Sequence, residues 1–480
     1  MTVLISRVLD ERPVPSLAEY VSGGGGAGLE AARRLGVAAT IEEVVASGLR
    51  GRGGAGFPTG EKWRTVAANA SEVQPATVIV NGAEGEPGSF KDRTLLVRNP
   101  YRVLEGALIA ASAVGADHVI VAVKESFAAP IERVRAAFAE VRDAGWAEGV
   151  DLDLVGGPGE YLFGEETALL EVTEGRPAFP RVAPPYRHGA DELGDGDRSA
   201  ATVELAGEDT TNAPPTLANN VETLAHVPLI LANGATWFRE VGTADSPGTI
   251  VCTVSGATRR ADVGEVPMGT PLRAVIDEIG GGPRSAAPLV AVLSGVSHPF
   301  LPAAAFDTPL SFEALDAAGG GLGAAGFIVV DQSDDVVAVA QGVARFLAVE
   351  SCGQCTPCKQ DGAAIAEILG RFCASNATDH DVDELSSRID TVADEARCFL
   401  AQQQQRVANS LLALFPEALA RHLEGAPERA EPVTPVLIAP LTGIRDDVAE
   451  LDETQRSKQP DWTYDETDSG ASPAERLTAG

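Results

Sequence analysis

Short apolar runs alternate with amphipathic helical segments through the first half of the chain, and this alternation constrains the fold more than any other feature. Thr77–Val80, His118–Val123 and Val150–Val155 read as strands because they are rich in Val, Ile and Leu. Between them, segments such as Tyr101–Val114 repeat apolar residues about every 3.6 positions, which is typical of a helix. This order predicts an α/β domain with a mainly parallel sheet over residues 29–240.

The rest of the chain divides by composition into further regions. Residues 1–28 form an N-terminal extension, and 188–211 read as an acidic insertion in the α/β domain because they lack apolar periodicity. Residues 248–331 carry short strands around one helical stretch, which predicts a small β-rich α+β domain. Helical patterning dominates 336–423 and predicts a helical bundle. We expect 426–480 to be a flexible acidic tail.

The charge of the chain limits its partners. Its 480 residues include 69 acidic and 37 basic side chains, which gives a net charge of −32. This charge repels phosphate backbones and anionic lipid, so we expect no nucleic acid partner. No apolar stretch is long enough to span a membrane, and the first residues lack a secretory pattern. We therefore expect a cytoplasmic protein without direct membrane insertion.

A glycine-rich segment runs from Gly51 to Trp63 and has five glycines in its first ten residues. Glycines let backbone N–H groups approach a phosphate closely, and Arg52 and Lys62 could supply positive charge. An ordinary glycine-rich turn explains the same residues about equally well. The segment is therefore a candidate phosphate site whose confirmation depends on its neighbours.

A second polar loop, residues 81–93, follows the first predicted strand of the α/β domain. Ligands of open α/β sheets bind at the carboxyl ends of strands, where this loop begins. Asn81 could bond the edge of a heterocycle, and Glu84 and Glu86 could accept hydrogen bonds from ribose-like hydroxyls. A solvated turn would explain the same residues.

A third glycine-rich loop, residues 156–168, follows the last of the three predicted strands. Its adjacent carboxylates Glu165 and Glu166 also suit the first turn of a helix, where the helix dipole favours negative charge. Three glycine-rich loops in one domain indicate a large ligand with phosphate, polyol and flat ring parts. A flavin or nicotinamide nucleotide has this description.

Three cysteines lie together in sequence at Cys352, Cys355 and Cys358. The spacing C-x₂-C-x₂-C can hold three corners of an iron–sulfur cubane, with a fourth thiolate arriving from elsewhere. Cys373 and Cys398 are the candidates for the fourth position. Four thiolates also suit tetrahedral zinc, but zinc sites more often use separated C-x₂-C pairs, so a cubane cluster is favoured.

Five passages, in this order, resemble the flavin-containing NADH-oxidising subunit of respiratory complex I, also called its 51 kDa or F subunit. The passages are residues 51–63, 81–93, 164–170, 219–223 and 350–358. The resemblance covers about residues 29 to 423. The same family includes the corresponding subunits of NAD-linked formate dehydrogenases and NAD-reducing hydrogenases.

The resemblance implies a Rossmann-like FMN domain, a ubiquitin-like β-grasp domain and a C-terminal helical bundle that carries a [4Fe-4S] cluster. Cys352, Cys355, Cys358 and Cys398 would be the cluster ligands, because the family's fourth ligand follows at about this distance. The flavin contacts that the resemblance implies are Gly51, Arg52, Gly53, Gly54, Lys62, Asn81, Glu84, Gly85, Tyr161, Gly164, Glu165, Asn219, Asn220 and Thr223.

The resemblance also implies an activity, with NAD(H) as substrate. Glu86 and Glu166 would act beside the nicotinamide or ribose, and Phe57 and Tyr186 would hold the dinucleotide. The implied protein is an NADH dehydrogenase subunit that oxidises NADH through FMN and passes electrons singly to the [4Fe-4S] cluster. The partners would be a thioredoxin-like [2Fe-2S] subunit and a larger iron–sulfur subunit or dehydrogenase. The electrons would flow toward quinone in a complex I-like assembly peripheral on the inner face of the membrane.

Three positions depart from the family pattern on the dinucleotide side. Ala83 stands where the family has a carboxylate, Ala183 where it has a lysine, and Thr65 where it has an aromatic residue. These departures leave open a second function, an FMN and [4Fe-4S] relay that exchanges electrons with a protein partner and does not bind NADH. The sequence also remains compatible with the diaphorase subunit of a formate dehydrogenase or hydrogenase, and with a zinc-stabilised scaffold.

Overall fold

The computed structural model describes residues 3–71, 73–181, 215–460 and 462. Tyr186, Ala183 and the predicted insertion 188–211 lie outside these residues, as does the end of the chain from 463 onwards.

A four-stranded parallel sheet forms the centre of the first domain. Its strands are β1 (Ala76–Gly82), β2 (Ala116–Lys124), β3 (Asp151–Gly157) and β4 (Thr216–Asn220), in the spatial order β3-β2-β1-β4. The first three coincide with the strands that the sequence predicts. Val78 and Val80 pack into one apolar core and Ile79 into another. Both faces of the sheet are therefore covered, as a parallel sheet requires.

Helices cover this sheet, and two of them pack closely on one another. Gly106 in helix Pro100–Val114 permits the approach, because a Cβ there would lie 2.0 Å from the Leu224 carbonyl oxygen in helix Val221–Asn233. The other helices of the domain are Leu17–Ser22, Ala27–Leu35, Val37–Ser47, Thr59–Asn69, Lys91–Arg98, Ala128–Asp143, Glu166–Thr173 and Ala235–Phe238, with a 3₁₀ turn at Tyr161–Gly164.

A five-stranded mixed sheet forms the second domain. Its strands are β5 (Thr249–Gly256), β6 (Asp262–Pro267), β7 (Leu289–Ser294), β8 (Leu301–Pro302) and β9 (Gly326–Asp331), in the spatial order β6-β5-β9-β7-β8. The β5–β9 pair is parallel and the other pairs are antiparallel. Val275, Ile276 and Ile279 of helix Leu272–Gly280 pack in its core, as the predicted α+β domain requires. The domain also holds helix Phe312–Ala317 and a 3₁₀ turn at Ala303–Ala305.

Helices alone build the third domain up to residue 421, as the sequence predicts. Val343, Leu347, Ile365 and Leu369 lie in its apolar core and are almost fully buried. The helices are Val336–Val349, Thr356–Cys373, Asp379–Thr391, Leu400–Leu414 and Pro416–Arg421.

The predicted flexible tail is wrong for residues 426–460, which pack against the other domains. Ile438 and Ala439 are buried, and Gly342 permits the approach because a Cβ there would lie 2.1 Å from the Val436 carbonyl oxygen. Residues 441–451 then form an antiparallel hairpin. Its strands are β10 (Leu441–Arg445) and β11 (Val448–Leu451), followed by a 3₁₀ turn at Glu453–Arg456. A short apolar run, residues 436–439, anchors a segment whose overall composition suggested disorder.

The last described residues return to the loop that carries the clustered cysteines. The Glu350 carboxylate accepts hydrogen bonds from Gln455 Nε2 at 3.1 Å and from Lys458 Nζ at 2.6 Å. Trp462 packs on Gly353, where a Cβ would lie 2.4 Å from its ring. The Lys359 ammonium lies 4.5 Å from the centre of the same ring. The end of this segment therefore covers one side of the cysteine loop.

Candidate functional site

A cavity of about 930 Å³ lies where the three domains meet. Its first wall comes from the α/β domain, its second from the mixed-sheet domain around Ser297 and Phe312, and its third from residues 398–406 of the helical domain. A cavity of this size can hold a nucleotide-sized ligand. The three-domain junction is therefore the candidate active site.

Most of the residues that the sequence predicts as cofactor contacts line this cavity. They belong to the loops after β1 and β3 and to the start of helix Val221–Asn233 after β4, which meet because parallel strands end at the same edge of a sheet. The others belong to the glycine loop between helices Val37–Ser47 and Thr59–Asn69. The lining residues are Gly51, Gly53, Gly54, Phe57, Lys62, Asn81, Glu84, Gly85, Glu86, Tyr161, Gly164, Glu165, Glu166, Asn219, Asn220 and Thr223.

Arg52 is the exception among the described candidates. Its side chain is 1% exposed and donates from Nε to the Thr249 carbonyl at 3.2 Å and from Nη2 to the Pro247 carbonyl at 3.1 Å. Burial lowers the pKa of this guanidinium to about 10. The expectation that its charge faces a phosphate is therefore wrong. Arg52 instead attaches the glycine loop to the second domain, while its backbone N–H donates to Thr223 Oγ1 at 2.8 Å.

The glycine loop has the geometry of an anion site at the start of helix Thr59–Asn69. Gly54 and Gly56 have φ of +128° and +63°, which side-chain-bearing residues rarely adopt. Pro58 provides no side-chain cap for the helix. Within the described ranges the buried Thr59 hydroxyl has no hydrogen-bond partner. Uncapped N–H groups and this hydroxyl fit a phosphate, as FMN would supply.

Lys62 places a positive charge at the cavity between two partners. Its ammonium pairs with the Glu166 carboxylate and donates to the Ala218 carbonyl at 2.8 Å. Glu166 lies in the first turn of its helix, and Glu165 caps that helix by accepting from the N–H groups of Thr167 and Ala168 at 3.0 and 2.8 Å. Glu165 therefore lies at the start of the helix, as the helix-dipole interpretation predicts, and it caps the helix while still lining the cavity.

The polar side chains at the base of the first wall bond mainly to one another. Glu84 accepts from Ser89 Oγ at 2.7 Å and from Arg93 Nε at 2.8 Å. Burial alone would raise the pKa of Glu84, but Arg93 and Ser89 lower it below its usual range. Asn219 accepts from Trp63 Nε1 at 2.8 Å, and Asn220 donates to Asp92 at 2.7 Å. These bonds fix the wall in one shape.

Glu86 links the first wall to the other two. Its carboxylate accepts from the Val296 N–H at 2.8 Å and from the Tyr161 hydroxyl. Burial raises the pKa of Glu86, and Tyr161 opposes that rise. Gln403 Nε2 donates to the Tyr161 oxygen at 3.1 Å, and the Tyr161 N–H donates to Glu350 at 2.9 Å. Tyr161 thus bonds Glu86 through its hydroxyl and Glu350, next to the cysteine loop, through its backbone N–H.

Four of the five cysteines in the helical domain are close to one another. Cys352 and Cys355 precede helix Thr356–Cys373, Cys358 lies in its first turn, and Cys398 precedes helix Leu400–Leu414. Burial raises the pKa of Cys398, and the neighbouring Cys352 and Cys358 raise it further. Burial likewise raises the pKa of Cys358 to about 11. The predicted ligand set therefore meets in space, and Cys398 also lines the cavity.

Cys373, the other candidate for the fourth ligand, lies at the far end of its helix. Fifteen residues of helix place it about 22 Å from Cys358, and its side chain is buried. In the part of the chain that the structure describes, no three His, Cys, Asp or Glu side chains are placed to hold one metal ion. Each iron of a cubane takes a single thiolate, so four thiols around a cluster need not converge on one point. The four thiols therefore fit a cluster whose irons each take one of them.

The sequence did not predict several of the residues that line the second and third walls. Those on the third wall have a signal in retrospect, since they recur at helical spacing after Cys398. Those on the second wall belong to no recognisable pattern. The additional residues are Thr59, Ser297, His298, Phe312, Glu313, Asp316, Phe399, Gln402, Gln403 and Arg406.

No helix in the described ranges is long and apolar enough to cross a membrane.

Two protein-family models match the chain, in the predicted order. The Nuo51 FMN-binding domain matches residues 44–229, and the NADH-ubiquinone oxidoreductase-F iron-sulfur binding region matches residues 338–422. The predicted pairing of an FMN domain with an iron–sulfur region is thereby confirmed.

Relatives along most of the chain carry one name, the F subunit of NADH-quinone oxidoreductase. The F 2 subunit of Rhizobium meliloti (strain 1021) is 35% identical over 421 residues, which cover 85% of this chain and 94% of that protein. The F subunit of Aquifex aeolicus (strain VF5) is 34% identical over 425 residues, covering 87% and 93%. The F subunit of Mycobacterium tuberculosis (strain CDC 1551 / Oshkosh) is 33% identical over 453 residues, covering 92% and 97%.

Solved structures give the same relationship. The crystal structure of NAD⁺-reducing [NiFe]-hydrogenase in the H₂-reduced state matches with a TM-score of 0.74 and 32% identity, covering 89% of this chain and 68% of that chain. The air-oxidised state of an NAD⁺-reducing [NiFe]-hydrogenase matches with a TM-score of 0.73 and 32% identity, covering 88% and 68%. The five passages, the cavity and these similarities together show that the chain belongs to the family of NADH-quinone oxidoreductase F subunits.

Proposed function

We propose that the protein is the electron-entry subunit of an NADH-oxidising complex, which takes electrons from NADH through FMN and passes them singly to a [4Fe-4S] cluster. The observation that carries this proposal is the position of Cys398, which lines the same cavity as the three glycine-containing loops of the α/β domain. A nucleotide in that cavity and a cluster on that cysteine would be neighbours. Short separation is what electron transfer between two groups needs.

The residues of the first wall have separate roles in this mechanism. Bound FMN would supply hydride acceptance and release of single electrons. The uncapped helix start and the Thr59 hydroxyl hold its phosphate, with the charge of Lys62 close by. Glu86 and Tyr161 hold a proton between them at the wall. Glu166 keeps Lys62 in place by pairing with it.

The fold and the assembly extend the proposal. The parallel sheet supports a Rossmann-like FMN domain, and β5 paired in parallel with β9 beside helix Leu272–Gly280 supports a ubiquitin-like β-grasp. A cluster needs an acceptor, so we infer a complex with a thioredoxin-like [2Fe-2S] subunit and a larger iron–sulfur subunit. We infer a cytoplasmic location, peripheral on the membrane in a complex I-like assembly that reduces quinone. The similar hydrogenase structures support the alternative, in which the protein is the diaphorase subunit of a hydrogenase.

Anaerobic titration with NADH tests the activity. The protein loaded with FMN and cluster should lose its flavin absorbance as NADH is added, because hydride transfer reduces the ring. Unchanged absorbance at saturating NADH would contradict the proposal. That result would favour the relay that does not bind NADH. Thr65 supports this alternative, because it is exposed and does not line the cavity.

Metal analysis tests the cluster in the same preparation. About four irons for each chain are expected, with matching acid-labile sulfide. A single zinc without iron in anaerobically prepared protein would instead indicate the zinc-stabilised scaffold.

A further inference from the structure

The third wall of the cavity carries side chains that the mechanism above does not use. Phe399 comes directly before helix Leu400–Leu414, and Gln402, Gln403 and Arg406 follow it at spacings of three, four and seven residues. Side chains at these spacings lie on one face of a helix. All four line the cavity. One helix face is therefore turned toward the ligand.

Phe399 has an aromatic ring that no described part of the protein covers well. It is 68% exposed, although it lines a cavity and precedes a buried core segment. Exposure of an apolar ring to water is unfavourable by about 25 cal/mol for each Å². Phe57, on the first wall, is also exposed, at 56%. The cavity thus presents two uncovered rings from two domains, which suits a ligand with flat heterocycles.

Arg406 places a positive charge on the same face without compensation. Across residues 3–71, 73–181, 215–460 and 462 its guanidinium forms no ion pair or hydrogen bond. Arg406 acts on His298, whose pKa is lowered to about 4 by burial and by Arg406 itself. His298 is therefore neutral near pH 7, and Asp316 acts on it in the opposite direction. Arg406 remains available to an anionic ligand.

Gln402 provides an unsatisfied polar atom between the ring and the cation. Its Oε1 is buried and has no hydrogen-bond partner among the described residues. A buried acceptor without a donor costs free energy, so native structures rarely leave one. Gln403 differs, because it already donates to Tyr161. Gln402 therefore fits a ligand that brings an N–H donor, such as an amide or an amino group.

We propose that Phe399, Gln402 and Arg406 form a contact face for the dinucleotide substrate, supplied by the cluster-binding domain. The ring stacks on a base, the amide oxygen accepts from an N–H of the ligand, and the guanidinium pairs with the pyrophosphate. The inference rests on the proposed function, since it takes NADH as the ligand. It also supplies an aromatic ring and a cation on a wall that the Thr65 position does not reach.

Binding of ADP-ribose, which contains the base and pyrophosphate but cannot be oxidised as NADH is, tests this face directly. Isothermal titration on protein loaded with FMN and cluster should show about three- to tenfold weaker binding for Phe399→Ala and for Arg406→Gln. The KM for NADH should rise by a similar factor while kcat stays within about twofold, because the contacts are made before and during reaction alike. Arg406→Lys should recover part of the loss, since it restores the charge without the planar fork.

Two residues of the same domain provide matched controls. Leu414 is an exposed apolar residue on the same helix, and Arg421 is an exposed arginine on the next one, and neither lines the cavity. Leu414→Ala and Arg421→Gln should leave both affinities unchanged. Iron and flavin contents confirm that every variant is loaded.

The outcomes separate the two levels of the proposal. If the wild type oxidises NADH but Phe399→Ala and Arg406→Gln bind ADP-ribose as tightly as the controls, the contact face is wrong and the proposed function stands. If the wild type neither bleaches with NADH nor binds ADP-ribose, the proposed function itself fails.

Discussion

The first and third walls of the cavity are built in opposite ways. In the first wall, glycine backbone shapes the surface and polar side chains such as Glu84 and Asn220 bond to other protein groups. In the third wall, Arg406 and Gln402 project from one helix with unused bonding capacity within the described structure. The first wall is preorganised, so ordering it on ligand binding costs little free energy. The third wall is completed only by what binds to it.

Among the predicted changes, removal of Cys398 should have the largest effect, because this residue lies where the third wall would meet the cluster. Cys398→Ala should abolish cluster loading, since three thiolates leave one iron without a protein ligand. Iron and acid-labile sulfide for each chain, with the electron paramagnetic resonance signal of the reduced protein, measure this. Cys373→Ala is the matched control and should retain the cluster. Loss of iron in the Cys373 variant alone would overturn the ligand choice.

Lys124 tests how rigidly the first wall is supported from behind. Its ammonium is buried against Gly85 and donates to the Gly159 carbonyl at 2.8 Å. Burial lowers its pKa from 10.5 to about 8. The folded chain therefore holds this proton less tightly than the unfolded chain. The contribution of Lys124 to stability should rise with pH between these values, by up to about 3 kcal/mol.

Lys124→Met removes that dependence. The free energy of unfolding in urea, followed by tryptophan fluorescence, should favour the wild type increasingly over the variant as pH rises from about 8 to 10.5. Parallel pH profiles for the two proteins would show that the charge behind the wall is solvated and that the wall is less rigid than its contacts indicate.

A branched side chain at Gly53 tests whether backbone alone shapes the first wall. A Cβ there would lie 3.2 Å from the Asn220 side chain, and the larger groups of Gly53→Val would extend into the cavity. We expect FMN affinity to fall at least about tenfold, or about 1.4 kcal/mol. Quenching of FMN fluorescence on binding measures the affinity. Gly159→Ala, whose Cβ meets nothing within 4 Å, should bind FMN normally. Equal affinities would place the flavin elsewhere.

Tyr161 joins the first and third walls. Loss of its hydroxyl should have the smallest effect of the changes considered. Tyr161→Phe removes a hydrogen bond that holds the pKa of Glu86 down against burial, so that pKa should rise further. Flavin reduction by NADH in stopped flow should then lose rate by a few-fold on the acidic side of its pH profile. Tyr101→Phe, which loses a similar bond to Glu140 far from the cavity, should leave the profile unmoved. A shift in both variants would indicate a general loss of stability.

Local sequence pattern was sufficient to predict three strands of the first domain. Strands β1, β2 and β3 follow from apolar composition, and the meeting of the loops after β1 and β3 follows from parallel topology. The role of Cys398 was implied by family resemblance, and the structure then placed it beside the other three cysteines. Most lining residues of the first wall were therefore available from sequence.

The remainder depends on contacts between distant segments. Arg52 turns away from the cavity because carbonyls of the second domain, nearly two hundred residues later, accept its hydrogen bonds. The face at 399–406 reads in sequence as an ordinary solvent-exposed helix side. The segment 426–460 is ordered because a few apolar residues dock beside Gly342. None of these outcomes is encoded within a single stretch of sequence.

The contact between Trp462 and Gly353 has a consequence for the order in which the protein matures. Translation reaches Trp462 some hundred residues after Gly353, so the cysteine loop emerges from the ribosome uncovered. The closing segment then holds the loop through Lys458 and Gln455, which both bond to Glu350. The cover on the cysteine loop is therefore supplied by the described residues that are synthesised last.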